Sequence, residues 1–184
     1  MIELYNADEN ILFSKSINKI INDAEVLSSL GLMIFSSIHW ERLLTKIRKD
    51  ICIQASEGTL NKNNKIFIFT IALAKQCFLN EYIFNYEIEE IVAINHIEST
   101  LINEEIDEFK LSILACYKTM LTMSDQIPLL INYKSNCKVF SELIRMQLKE
   151  PLIERSIKKD ITKFSSIKDI VSTKVKNQYE ENPY

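Results

Sequence analysis

Glycine occurs only twice in this 184-residue chain, at Gly31 and Gly58, and proline three times, at Pro128, Pro151 and Pro183. Strand-rich folds need glycine in their tight turns, and loops that wrap a phosphate need it for close backbone approach. Neither GxxxxGK(S/T) nor GxGxxG is present, so neither phosphate-cradling loop is available. Histidine is confined to His39 and His96, without an HExxH motif. The four cysteines form no CxxC pair, so no zinc site is expected. No apolar run reaches the roughly 18–20 residues that a bilayer span requires. The opening MIELYNADEN lacks the charged and apolar regions of a signal peptide. Together these absences point to an all-α protein of the reduced cytoplasm, with disulfides unexpected.

What is present fits that class. A hydrophobic fraction of 47% beside 26% charged residues is ordinary globular composition. The dominant stretch is 66–84, IFIFTIALAKQCFLNEYIF, polar only at Thr70, Lys75, Gln76, Asn80 and Glu81. Its opening is β-branched and aromatic, which leans towards strand. Its length exceeds the usual strand of about 3–10 residues, and its second half is made of good helix formers. The reading is a central helix that is apolar nearly all round, with neighbours on most sides.

Around it the pattern predicts a compact multi-helix domain of about seven to nine helices. Residues 1–22 form an arm or amphipathic helix, residues 23–176 the helical domain, and residues 177–184 an exit linker. Asp23 is a plausible N-cap for a helix that Gly31 weakens or ends. A clearer helix follows Ser36-Ser37, with Ile38, Trp40, Leu43, Leu44, Ile47, Ile51 and Cys52 inward and Gly58 as its stop. The run 87–101 predicts another, its acidic first turn favoured by the helix dipole. Asn103 is expected to cap a single long helix over about 104–123, ended by SDQIP. Residues 136–148 predict a further helix, Pro151 suits the first turn of the next, and a capping-box match at 166–169 opens the last.

Charge divides unevenly along the chain. Residues 1–133 hold 11 Lys and Arg against 18 Asp and Glu, whereas residues 134–176 hold 11 against 5. The basic segment could face nucleic acid, but without interleaved aromatics a solvated helical face accounts for it more simply. Cys52, Cys77 and Cys116 lie in apolar rows, where a thiol behaves as a small hydrophobe. The adjacent carboxylates Glu89-Glu90 and Glu104-Glu105 diverge by about 100° on a helix, so each pair splits between faces. His39 and His96 read as surface or satisfied histidines. Phe78, Tyr82, Phe84 and Tyr86 could line a pocket, although i, i+4 spacing of Phe78 and Tyr82 favours packing. No catalytic, cofactor-binding or metal-binding residue is assigned.

Four segments carry a resemblance: AKQCFLNEYIF (74–84), ILACYKTM (113–120), LKEPLIE (148–154) and, most specifically, VKNQYEENPY (175–184). ERLLTKIRKDI (41–51) is similar but less specific. In order and spacing they resemble the helical region ahead of the catalytic domain in bacterial, tetratricopeptide-repeat-associated class I S-adenosylmethionine-dependent methyltransferases. The resemblance covers roughly residues 36–184. The upstream repeats are missing, and so is the glycine-rich cofactor loop. The resemblance therefore implies a non-catalytic helical accessory domain, which packs against a methyltransferase domain or presents substrate to it. S-adenosylmethionine would belong to that domain and not to this chain. It also makes Tyr179, Asn182, Pro183 and Tyr184 a domain junction. The alternatives are a freestanding protein-interaction or dimerisation module and, third, nucleic-acid binding through 134–176.

Overall fold

The computed structural model describes residues 15–101, 106–124, 128–160 and 170–181. The chain divides into two compact units, Met1–Leu152 and Ile153–Tyr184. Among the described residues the regular structure is entirely helical, as the scarcity of turn formers implies.

In chain order the first unit opens with α1 (Lys15–Ile21), which buries Ile17 and Ile21. Asp23 caps α2 (Ala24–Leu30): its carboxylate accepts the N–H groups of Glu25 and Val26, two donors that the helix start leaves orphaned. Helix α3 (Ile38–Glu57) ends at Gly58, whose φ of 72° is the left-handed cap that glycine adopts without strain. Helix α4 (Asn64–Leu79) is capped by Asn63 through Lys65 and Ile66. Then come α5 (Ile88–Leu101), α6 (Glu108–Leu114), α7 (Met120–Met123) and a 3-10 turn at Pro128–Asn132. Helix α8 (Lys138–Ile144), a π turn at Arg145–Lys149 and α9 (Glu150–Asp160) run on without a loop, and α10 (Ile170–Glu181) follows.

Helix α4 is the central element the sequence pattern predicts. It buries Ile66, Phe69, Thr70, Ile71, Ala72, Leu73, Ala74, Gln76 and Cys77, and it packs against α1, α2, α3, α6 and α8. It stops at Leu79, however, and not at Phe84. Glu81 and Tyr82 take φ values of 56° and 59°, and the Tyr82 N–H reaches back to the Cys77 carbonyl at 2.8 Å. Left-handed backbone costs non-glycine residues about 1–2 kcal/mol each, so packing further along has to hold this turn. Arg48 holds the chain just past this turn, at the Phe84 and Asn85 carbonyls.

Two other boundaries differ from the sequence pattern. The helix expected over 104–123 is two short ones, α6 and α7. Asp107 caps the first, Thr119 caps the second, and the chain turns between them. Asn103 and Glu104-Glu105 lie outside the described residues. The expected break before Pro151 is bridged by the π turn. Proline has no N–H for the carbonyl four residues back and its ring crowds that carbonyl. The wider i→i+5 pattern, with the Glu150 N–H on the Arg145 carbonyl, carries the helix up to it.

The buried side chains form a core that includes Phe69, Phe140, Leu73, Ile97, Leu111 and Leu143. Phe78 packs edge-on with Tyr82 at 6.4 Å and is only half-buried, whereas Phe84 is buried. In the second unit, every described side chain of α9 from Ile153 onward is exposed, and so is nearly every one of α10. No helix among the described residues is long and apolar enough to cross a membrane.

Candidate functional site

Arg48 and Glu90 are 2% and 1% exposed, which is unusual for two ionised residues and demands partners for every polar atom. Arg48 projects from the middle of α3. Its guanidinium donates to Glu90 Oε1 at 3.3 Å, to the Asn85 carbonyl at 2.6 Å and to the Phe84 carbonyl at 3.4 Å. It also lies 4.3 Å from the Tyr117 ring centroid and 5.9 Å from that of Phe84, within cation–π range. Glu90 stands at the third position of α5. Its Oε2 accepts the Glu87 N–H at 2.8 Å, the return half of a capping box, and its Oε1 also accepts the Tyr117 hydroxyl at 2.7 Å. One carboxylate thus caps α5, neutralises α3 and anchors the turn that separates α6 from α7. Burial pushes the Tyr117 phenol well above its usual range, so it acts as a donor to Glu90.

Thiols border this centre. Burial pushes the Cys52 thiol up to about 11 and raises that of Cys116 as well, with Cys77 beside it. Neutral, buried thiols are poor nucleophiles, and these serve as small packing groups. Cys116 donates to the Ser112 carbonyl at 3.4 Å. Gln147, in the π turn, is fully buried. Its amide donates to the Ala74 and Ala115 carbonyls at 3.0 and 3.2 Å, and its oxygen accepts from Met120 N at 3.4 Å. Three elements are tied together by one side chain, and the carbonyl of Ala115 is one that the break after α6 sets free.

Protein groups hold both terminal nitrogens of Arg48, while its buried Nε has no hydrogen-bond partner among the described residues, and the depth of the centre offers a substrate little access. Its consequence lies outside it. By holding the Phe84 and Asn85 carbonyls it fixes the loop between α4 and α5, and by holding Glu90 it fixes the start of α5. That frame presents Ile83, Tyr86, Ile88, Ile91 and Val92 to solvent, all between residues 83 and 92, with Ile88 79% and Val92 65% exposed. Ile88, Ile91 and Val92 share one helix face by their i, i+3, i+4 spacing. Large apolar side chains held outward together on one helix face make this stretch the candidate site.

The adjacent carboxylates separate as their helical spacing requires: Glu90 turns inward, while Glu89 turns out to Lys49 at 2.8 Å. His39 and His96 are both exposed. Of the junction residues, Tyr179 is half-exposed on α10, and Asn182, Pro183 and Tyr184 lie outside the described residues. The capping box at 166–169 also lies outside them. Sequence reasoning missed Arg48, Tyr117 and Gln147. Arg48 had one available signal: it occupies an inward position in the Leu44, Ile47, Ile51 row. No known protein family, curated protein or solved structure matches this chain.

Proposed function

We propose that this chain is a non-catalytic helical docking domain, and that its partner is the catalytic domain of a class I S-adenosylmethionine-dependent methyltransferase-like protein. The observation that carries the docking role is the set of exposed apolar side chains on α5 and the loop before it, backed by a buried ion pair. A face that needed only to be soluble would not keep Ile88 and Val92 outward. The choice of partner rests on the resemblance of AKQCFLNEYIF and VKNQYEENPY to the helical region of those enzymes, which also suggests a bacterial cytoplasmic setting among tetratricopeptide-repeat-associated relatives. In this reading Tyr179, Asn182, Pro183 and Tyr184 form the junction to the catalytic domain, and S-adenosylmethionine binds there and not here.

The test has two parts. Isothermal titration of the 184-residue chain with S-adenosylmethionine is expected to give no binding heat. Mixed with a class I S-adenosylmethionine-dependent methyltransferase catalytic domain supplied as a separate chain, it is expected to co-elute, and Ile88→Asp with Val92→Asp to abolish co-elution. Clear cofactor binding by the short chain overturns the non-catalytic reading, and co-elution indifferent to both substitutions overturns the docking face. The same face would also serve a freestanding interaction module. The reading frame that follows Tyr184 separates the two, since a strand and glycine-rich loop are expected there under the first reading.

A further inference from the structure

Beside the exposed face of α5 runs a groove of about 510 Å³ between α3 and α5, lined by residues that include Ile53, Glu57, Ile88, Glu89, Val92 and Ala93. Its floor is apolar. Its carboxylates are Glu57, at the end of α3, and Glu89, in the first turn of α5, with Glu87 just before that helix. Among the described residues the cation paired there is Lys49, shared between Glu87 and Glu89 at 2.5 and 2.8 Å, and both carboxylates remain about two-thirds exposed. Three carboxylates against one ammonium leave the groove negative. Such charges steer and orient a cationic partner more than they add raw affinity.

We propose that this groove seats an amphipathic helix that lays apolar side chains onto Ile53, Ile88 and Val92 and carries lysine or arginine along its flanks. The assignment rests on the docking role proposed above and adds the chemistry of what docks. An apolar groove between two helices matches the helix-in-groove mode, read by anchors at i, i+3 or i+4, and i+7. Charge selects among such helices: acidic flanks would stand against Glu57 and Glu89 and be rejected, and basic flanks would be drawn in.

The experiment titrates the full chain into a fluorescein-labelled synthetic helical peptide with leucine at those anchor spacings and lysine on both flanks, read by fluorescence anisotropy. A second peptide has glutamate in place of every lysine. Saturable binding of the lysine peptide is expected, weakened about tenfold or more by Val92→Asp or by Glu57→Lys with Glu89→Lys, and falling as salt rises. Circular dichroism checks that these exposed-site variants stay folded. Equal binding of the two peptides, or no binding of either, overturns the proposal. So does concentration-dependent self-association in sedimentation that Ile88→Asp abolishes while the peptide does not bind, because the occupant is then a second copy. Co-elution with the catalytic domain that persists while the peptides fail would leave the docking role standing and remove only this assignment.

Discussion

Arg48 and Lys49 are neighbours in sequence and both pair with acids at the start of α5, yet they belong to different physical regimes. Arg48 is withdrawn from water with Glu90, and its guanidinium is shared among a carboxylate, two carbonyls and two aromatic rings. Lys49, about 100° around the helix, meets Glu87 and Glu89 in solvent. Attraction between the buried charges is little screened, but removing them from water costs several kcal/mol per ion. The exposed pair has neither the large gain nor the large penalty. The buried pair therefore contributes specificity: it selects one register of α5 against α3 and one conformation of the 80–87 loop. The surface pair adds charge to the rim of a groove.

The sharpest way to break this contrast is to remove one buried partner. Glu90→Ala leaves Arg48 charged and unpaired, and a loss of about 3–5 kcal/mol in urea unfolding is expected. Replacing both, Arg48→Met with Glu90→Leu, should cost clearly less than the single change, since two apolar groups need no partners. A double variant as unstable as Glu90→Ala would show that the loop, and not the stranded charge, sets the penalty. The double variant should also expose the loop to proteolysis near Ile83.

Next in size is Gln147. Gln147→Leu strips the Ala74 and Ala115 carbonyls of a buried donor, for an expected loss of about 1–3 kcal/mol. A neutral outcome would mean that the π turn is held by packing alone.

Alkaline pH gives a third measure. The folded Cys52 thiol is pushed up to about 11 from 9.0, chiefly by burial. In the unfolded chain it ionises first, so its contribution to stability is complete below pH 9 and is lost as pH rises towards 11. Cys116, Tyr82 and Tyr117 are raised as well, each first by burial, and act in the same direction. Urea midpoints should fall between pH 9 and 11, and Cys52→Ala should remove part of that slope. A flat profile across this window would show that these groups are solvated.

The smallest effect belongs to the surface. Lys49→Ala should change stability by no more than about 1 kcal/mol, and added salt should shrink the difference. The hydrogen bonds that Lys49 donates to Glu87 and Glu89 raise its pKa, so its share is complete below its ordinary range and disappears only as pH climbs through the raised value. A loss from Lys49→Ala rivalling that from Glu90→Ala would erase the contrast between the two regimes.

The sequence by itself determined what short-range physics governs. Asp23 and Gly58 act as caps because a cap needs only its own side chain or φ and the next few N–H groups. The breaker-free run in α4 makes a central helix because an apolar surface on all sides has to be covered on all sides. The splitting of Glu89 from Glu90 follows from helical spacing alone. Only the tertiary structure decided where α4 ends, since Glu81 and Tyr82 are no natural left-handed cap and are held there once Arg48, more than thirty residues upstream, takes the Phe84 and Asn85 carbonyls. It likewise decided that the stripe 104–123 breaks, because Glu90 draws the Tyr117 hydroxyl and Gln147 takes the carbonyl of Ala115. It left Ile88 and Val92 outside, although nothing in their own periodicity marks them as uncovered. The physical reason is common to all three: helix propensity and capping are local, whereas desolvating a charge, satisfying a freed carbonyl and covering an apolar face depend on which distant segment arrives there.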